Sequence, residues 1–328
     1  MTTTMIAMFV VFGLMIGILF GFFGMGGSFL VTPALLVLGY KPQVAVGSGL
    51  AFVFGTSVIA ALRHRNLGQV DYKLGALFIV GMTAGIEVGK EIIFLLEELG
   101  QADLFVSVAY VVLLGGVGLF VFRDSRSSDD SGGDSDGKFA IAERLQRYQI
   151  PPTVTLKGGV KISVWLTLLI AALIGVLAGF LGVGGGFLLM PAMVYVLGVP
   201  AAVAVGTDVF QIVASGGVGA FLYAQSGSVD LGAVASLLAG SALGARIGSA
   251  ATSLVDEDDI KIYFAMMLLA GSVAVASKKI GNGLGIDLFN TVSIALIVGA
   301  ALLVSSAVVI TALQALRQQG STPTPTAD

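Results

Sequence analysis

The chain has 328 residues, of which 56% are apolar and only 11% are charged, and its mean hydropathy is +0.98. Soluble domains have roughly 25% charged residues, so this composition indicates a membrane protein. The chain has no cysteine and one histidine, which excludes disulfide frameworks, thiolate metal sites and imidazole clusters. A net charge of −3 gives no reason to expect nucleic acid as a partner. We therefore expect no cofactor and no metal, and a lipid bilayer around the chain.

A glycine-rich motif occurs twice, at residues 21–34 and 179–192, and nine of its fourteen positions are identical. The two copies are Gly-Phe-Phe-Gly-Met-Gly-Gly-Ser-Phe-Leu-Val-Thr-Pro-Ala and Gly-Phe-Leu-Gly-Val-Gly-Gly-Gly-Phe-Leu-Leu-Met-Pro-Ala. The correspondence continues beyond the motif at an offset of 159, because residues 44–48 match residues 203–207. The chain is therefore an internal duplication.

Apolar stretches long enough to cross ~30 Å of hydrocarbon follow one another in the same order in both halves. They predict an all-α polytopic membrane protein made of two four-span repeats, each with an interrupted first helix, plus one extra C-terminal span. Residues 123–161 are rich in Ser, Asp and Gly and predict a disordered cytoplasmic linker. The linker separates a first repeat at 1–122 from a second repeat at 162–278, and the extra span and the tail follow at 279–328. The predicted spans are 5–39 (interrupted at 24–27), 43–62, 72–93, 103–122, 162–198 (interrupted at 182–186), 202–224, 230–251, 260–277 and 286–313.

Basic residues predict an orientation, because cytoplasmic loops carry an excess of Lys and Arg. If each interrupted segment makes one net crossing, the three basic clusters fall on the same side, whereas five crossings per repeat would separate the last cluster from the linker. We therefore predict a parallel duplication with the N-terminus and the linker in the cytoplasm and the C-terminus outside. The clusters are Arg63, Arg65 and Lys73; the linker residues Arg123, Arg126, Lys138, Arg144, Arg147, Lys157 and Lys161; and Lys278 with Lys279.

The paired glycine motifs, the Ala-Val-Gly-Ser/Thr that follows each of them, and the order of spans resemble the sulfite exporter TauE/SafE family of membrane transporters. The resemblance covers about residues 5–278. It implies secondary transport of a small, often sulfur-containing anion such as sulfite, a sulfonate or sulfoacetate across the cell membrane. It leaves open the anion, the direction of transport, the coupling ion and the oligomeric state. A homo-oligomer is one of the possible states.

The interrupted helices are the first candidate for a substrate site, because a helix that restarts inside the membrane presents unpaired N–H groups to an anion. Glycine lets the backbone approach an oxyanion closely. The alternative is that these glycines only allow helices to pack tightly, which is the interpretation that we favour for Gly81, Gly85, Gly89 and their counterparts. The candidate substrate-binding residues of the breaks are Gly24, Gly26, Gly27, Ser28, Gly182, Gly184, Gly185 and Gly186.

Polar residues on the helices that follow the breaks are candidates for completing the site. These are Ser48 and Thr56 in the first half and Thr207, Gln211 and Ser215 in the second. Asp208 shares one helical face with Gln211 and Ser215 at a spacing of i, i+3 and i+7. A carboxylate inside a membrane costs about 2.5 to 3.5 kcal/mol, so we predict that Asp208 couples transport to a proton or cation. The alternative is a helix cap near the headgroups.

Glu87 and Arg246 occupy equivalent positions in the third spans and are candidates for coupling or gating, either as a pair or separately. The alternative is that both side chains reach the membrane interface. Asp71 and Asp230 are predicted to cap the third spans.

Three other classes of protein compare less well with this pattern. A gated anion channel without ion coupling would share the glycine breaks, and it is the main alternative. An intramembrane enzyme would need a nucleophile and a base, and the chain has no Gly-x-Ser-x-Gly or His-Glu-x-x-His sequence. A scaffold without transport would not need duplicated breaks at the same depth.

Overall fold

The computed structural model describes residues 2–23, 27–64, 70–127, 151–156, 161–251 and 257–320, and most of them are helical. In lipid a helix satisfies its backbone hydrogen bonds internally, so long apolar runs fold as helices. The elements are α1 (Thr3–Phe23), a 3-10 helix (Gly27–Leu30), α2 (Val31–Val37), α3 (Pro42–His64), α4 (Tyr72–Glu98), α5 (Ala102–Ser127), β1 (Thr153–Thr155), β2 (Lys161–Ser163), α6 (Val164–Leu181), α7 (Gly186–Pro191), a π-helical turn (Ala192–Val196), α8 (Ala201–Gln225), α9 (Leu231–Ala251), α10 (Glu257–Leu284) and α11 (Asp287–Gly320).

The protein is an all-α polytopic membrane protein, and each uninterrupted span expected from the sequence is a helix. Within the described part of the chain, seven helices contain stretches that are long and apolar enough to cross a membrane. The apolar part of α3 is shorter, Pro42–Val58, and the C-terminal half of α4 carries Glu87, Lys90 and Glu91. The seven stretches are Thr3–Phe23, Ala102–Arg123, Val164–Leu181, Val203–Gln225, Leu231–Ala251, Ile262–Leu284 and Asp287–Gln314.

Each interrupted segment turns back toward the end of the bundle from which it came. After α1, the chain returns along it, so that the ring of Tyr40 packs edge-on against Phe9 with centroids 6.4 Å apart. After α6, the chain returns until Leu197 and Val199 share an apolar cluster with Ile162, which directly precedes α6. Neither segment makes a net crossing, and each half therefore crosses an odd number of times.

The contacts of the first and third spans show a parallel pairing between the two halves. Gly13 and Gly21 of α1 lie against Leu237 and Ala245 of α9, so the two helices run in the same direction. The pair α4 and α6 is built in the same way, with Gly81 against Ala171 and Gly89 against Val176 and Phe180. Each half therefore packs its first helix against the third span of the other half.

The second and fourth spans pair with their own counterparts in opposite directions. Phe54 of α3 lies against Gly217 of α8, whereas Leu50, which precedes it, lies against Gly219. The same reversal occurs between α5 and α10, where Ser272 Oγ donates to Val111 O at 3.0 Å and Lys279 reaches back to Asp103.

The predicted parallel duplication is therefore wrong, because the corresponding helices of the two halves run in opposite directions. The error came from assuming one net crossing for each interrupted segment. We call the end of the bundle around Tyr40, Asp103 and Asp230 the N-terminal face, and the end around Asp71 and Ser163 the linker face. The N-terminus and the linker lie on opposite faces, and α11 ends on the linker face because it follows α10 through a short turn.

Glycines set the distance between the paired first and third spans, as their spacing in the sequence predicts. A side chain on Gly240, Gly244 or Gly248 would collide with the backbone of α1, and one on Gly81, Gly85 or Gly89 would collide with α6. Because the obstacles are mainly backbone atoms, only glycine allows helices to approach this closely.

Part of the predicted linker is ordered. Helix α5 continues to Ser127, and β1 and β2 form an antiparallel pair with Val154 opposite Ile162. Leu156 and Ile162 are buried among apolar residues of α4 and α6 and of the returning segment after α7, which explains why this stretch folds. Residues 128–150 and 157–160 lie outside the described residues.

Candidate functional site

The second glycine break unwinds the chain for four residues between α6 and α7. Gly182, Gly184 and Gly185 have φ angles of 74°, 65° and 79°, in the left-handed region where a Cβ atom is strained. Helix α7 then begins at Gly186. In the first break, Gly24 and Gly26 lie outside the described residues, and Gly27 and Ser28 begin the 3-10 helix.

Three side chains from other segments satisfy the carbonyl groups that α6 leaves open at this break. The Tyr223 hydroxyl donates to Gly179 O at 2.6 Å, and the Tyr110 hydroxyl donates to Leu181 O. Thr32, from the returning part of the first motif, donates to Gly182 O at 3.4 Å. All three side chains are buried. An unsatisfied carbonyl in hydrocarbon is costly, so these donors hold the break in its place.

A connected row of polar side chains on α8 faces the start of α7. Gln211 Nε2 donates to Asp208 Oδ1 at 3.2 Å, and Ser215 Oγ donates to Gln211 Oε1 at 2.8 Å. Gly186 lies directly against Asp208, since a methyl group at this glycine would be 2.9 Å from Oδ2. The spacing predicted a common face for these three residues, and the structure places them in one hydrogen-bonded row beside the second break.

Apolar side chains enclose the described part of this break. Val53 of α3 packs against Gly184, Met82 of α4 against Gly185, and Ile212 of α8 against Gly186. A cavity on the N-terminal face and an apolar groove between α1, α2 and α11 lie elsewhere. The arrangement at the break is therefore closed.

Ser48 and Thr207 hold helix caps of the opposite half. Asp71 caps α4 by accepting from the Lys73 and Leu74 N–H groups, and Asp230 accepts from Ala233 N, so both predicted caps are confirmed. The backbone N–H of Asp71 donates to Thr207 Oγ1 at 3.0 Å, and that of Asp230 donates to Ser48 Oγ at 2.9 Å.

Among the described residues, the other candidates form no hydrogen bond with the polar row. Thr56 donates to the carbonyls of Phe52 and Val53 in its own helix. Glu87 lies 3.4 Å from Lys90 on α4 and its side chain is 46% exposed. Arg246 is exposed on α9. Both charges lie past the middle of their helices, and because α4 and α9 run in opposite directions, the structure does not bring them together.

Comparison with known proteins agrees with this architecture. The sequence pattern of the sulfite exporter TauE/SafE family matches residues 9–275. The chain belongs to the sulfite exporter TauE/SafE family. This membership makes it a membrane transporter and points away from an enzyme.

Bacterial relatives align with most of the chain. It is 28% identical over 272 residues to a probable membrane transporter protein of Bacillus subtilis, YjnA, an alignment that covers 80% of this chain and 97% of the relative. A probable membrane transporter protein of Xylella fastidiosa is 27% identical over 72% of this chain and 81% of its own length. The sulfite exporter TauE/SafE family protein 2 of Arabidopsis thaliana is 32% identical over 33% of this chain and 24% of its own length. No solved structure matches the chain at a significant level.

Sequence reasoning missed the donors that secure the break in this TauE/SafE protein. Tyr110 and Tyr223 are tyrosines within apolar helices, and a buried tyrosine hydroxyl normally needs a partner. That rule gives a signal for the two residues, although it does not name the partner. Thr32 stands in the motif where the second copy has Met190, a polar difference between the copies that marks it.

Proposed function

We propose that this protein is a secondary transporter for a small, sulfur-containing anion of the sulfite, sulfonate or sulfoacetate type, and that the anion binds at the second glycine break. The observation that carries the proposal is the buried row of Asp208, Gln211 and Ser215 against Gly186, where α7 begins after the unwound residues 182–185. The row provides hydrogen-bond donors and a titratable group beside unwound backbone.

The fold itself does not require this polar row. In the duplicated helix α3, the positions that correspond to Asp208, Gln211 and Ser215 are Gly49, Phe52 and Thr56. At these three positions the first half therefore has one polar residue, Thr56, whose hydroxyl donates to the backbone of its own helix. Because buried polar groups in membranes are costly, their presence in the second half supports a functional role.

Access to this site requires movement of the apolar side chains around the break. Val53, Met82 and Ile212 belong to three different helices, so a shift of α3 or α4 relative to the segment at 182–186 would open a path. Inverted halves can exchange roles between the two faces, which is the usual basis of alternating access. We interpret the structure as the closed state of such a cycle.

Asp208 is the group that we assign to proton coupling. An ionised Asp208 would repel an anion bound beside Gly186, so anion binding favours the protonated acid. Proton and anion would then move together. A gated anion channel is the second candidate function, since the polar row could line a pore.

The decisive experiment measures sulfite flux in proteoliposomes with Asp208→Asn, and with Glu87→Gln as a matched carboxylate-to-amide control. We expect flux in the wild-type protein that saturates and responds to a pH gradient. Asp208→Asn should abolish the response to the pH gradient, whereas Glu87→Gln should retain it. A pH response that survives in Asp208→Asn would refute the coupling role. Wild-type flux that follows only the electrochemical gradient and does not saturate would favour the channel.

We propose further that the linker face is cytoplasmic. Lys73 and Lys161 lie on this face, the sequence places most other basic residues beside them, and cytoplasmic loops favour Lys and Arg. The N-terminus would then be outside and the C-terminus inside, the reverse of the prediction from the sequence. Because the chain has no cysteine, the variants Gln101→Cys and Tyr72→Cys report the two faces separately. An impermeant maleimide should label only Gln101→Cys on intact cells, and labelling of Tyr72→Cys instead would refute this orientation.

A further inference from the structure

A second polar site lies on the N-terminal face, away from the glycine breaks. A cavity of about 180 Å³ opens there between the end of α2, the start of α5 and the last part of α10. It is lined by Tyr40, Asp103, Ser107, Lys278, Lys279 and Asn282 together with apolar residues. A single water needs roughly 10–15 Å³, so the cavity has room for a small organic anion and several waters.

The charge of this cavity is positive. Lys279 forms an ion pair with Asp103 at 2.5 Å, which neutralises the acid that lines the cavity. Among the residues that the structure describes, Lys278 has no ion-pair partner, so it adds an uncompensated positive charge. The side chain of Ser107 is buried and that of Asn282 is exposed, and both can donate hydrogen bonds to an oxyanion.

Two ordinary explanations for these lysines do not apply. Basic residues stabilise the C-terminal turn of a helix, but α10 continues to Leu284 and has no basic residue in its last turn. Lysines also mark cytoplasmic loops, but Lys278 and Lys279 lie on the face opposite the linker, which is the external face in the orientation that we propose. Lys279 is explained by its ion pair with Asp103, so Lys278 is the lysine that calls for a different role.

The cavity also lies close to the second break. Ser107 and Tyr110 are three residues apart on α5, so they lie on one helical face about one turn, or ~5 Å, apart. Ser107 lines the cavity, and the Tyr110 hydroxyl donates to Leu181 O at the break. Helix α5 therefore connects the two polar regions directly.

We propose that this cavity is an anion-binding vestibule, which holds a small oxyanion or sulfonate at Lys278 on its way to or from the break. The transported anion class rests on the proposed function, whereas binding of an oxyanion by the cavity is independent of it. An anionic lipid headgroup has the same chemistry as a free sulfonate, and we assign the site to the free anion because Ser107, the most buried of the polar lining residues, is more accessible to a small free anion than to a headgroup held in the bilayer.

The test introduces one cysteine into the naturally cysteine-free chain, Asn282→Cys, and compares a sulfonate-bearing methanethiosulfonate reagent with a cationic one. In detergent, the anionic reagent should react faster. Adding Lys278→Gln should slow the anionic reagent and accelerate the cationic one by roughly two- to fivefold each, as expected for one charge several ångströms away in water. Adding Lys90→Gln is the matched control, because Lys90 lies toward the same face but does not line the cavity, and it should leave both rates unchanged.

Methanesulfonate distinguishes the two sources of the anion. It should protect the cysteine of Asn282→Cys equally in detergent and in phosphatidylcholine nanodiscs, and Lys278→Gln should remove the protection. If the cysteine is protected only in nanodiscs that contain phosphatidylglycerol, the lipid headgroup is the occupant, and the assignment to a free anion is overturned. The proposal of a vestibule would be overturned if the anionic and cationic reagents react with the cysteine at equal rates and Lys278→Gln leaves both rates unchanged. The protein must be monodisperse in this measurement.

Failure of the vestibule and failure of the proposed function give different results. Preferential labelling by the anionic reagent without any sulfite flux would refute only the transport proposal. Sulfite flux together with equal labelling rates for the anionic and the cationic reagent would refute only the vestibule.

Discussion

The close packing of α4 on α6 gives the sharpest prediction of stability. A methyl group on Gly85 would be 2.7 Å from Val176 N and 2.8 Å from the Gly175 Cα, and closer still to Ala172 O. All three obstacles are backbone atoms, so the helices must move apart. Overpacking costs about 1–3 kcal/mol, and the gain in helix propensity from Gly to Ala is about 1 kcal/mol or less. We expect Gly85→Ala to lower the free energy of unfolding by about 1–2 kcal/mol.

Gly116→Ala is the matched control, because Gly116 is exposed on α5 and a methyl group there meets no atom within 4 Å. It should be neutral or should raise stability by up to about 1 kcal/mol. Thermal unfolding of both variants in the same detergent, followed by tryptophan fluorescence and size-exclusion chromatography, measures the difference. Gly244→Ala, at the corresponding position of α9, should behave like Gly85→Ala. Equal stability of Gly85→Ala and Gly116→Ala would refute the close approach of α4 and α6.

Three further substitutions test the contacts around the break and the N-terminal face. Tyr110→Phe leaves Leu181 O without its buried donor and should lower the free energy of unfolding by about 1–3 kcal/mol in detergent. Thr32→Val should cost less than about 1 kcal/mol, because its hydrogen bonds are long at 3.4 Å. Burial and the hydrogen bond to Asp230 raise the pKa of Tyr40 to about 12 from its ordinary value of 10. Its contribution to stability is therefore complete below pH 10 and is lost as the pH rises toward 12, so Tyr40→Phe should lose less stability over that range than the wild-type protein.

Each of these three predictions can fail separately. A Tyr110→Phe protein as stable as wild type would mean that another donor replaces the hydroxyl. If Thr32→Val lowers the free energy of unfolding more than Tyr110→Phe does, the hydrogen bonds of Thr32 contribute more than that of Tyr110, which contradicts the expected order. Identical alkaline unfolding of wild type and Tyr40→Phe would show that the bond to Asp230 does not hold the protonated phenol.

Much of the local structure follows from the sequence. The apolar stretches predict the helices, and the helix caps at Asp71 and Asp230 follow from an aspartate placed just before each helix. The spacing of Asp208, Gln211 and Ser215 predicts their common face. The roles of Ser48 and Thr207 were not predictable in this way, because each bonds to a cap in the opposite half of the chain, far away in sequence.

The sequence by itself determined that this is a duplicated, all-α membrane protein with two glycine breaks, because hydropathy and helix formation depend on neighbouring residues. Only the tertiary structure decided that the chain turns back after each break, so that the halves are inverted and each first helix packs against the third span of the other half. Glycine permits either direction after a break, and the packing of α1 on α9 and of α4 on α6 selects one. The same packing places Thr32 beside Gly182 and closes Val53, Met82 and Ile212 over the second break.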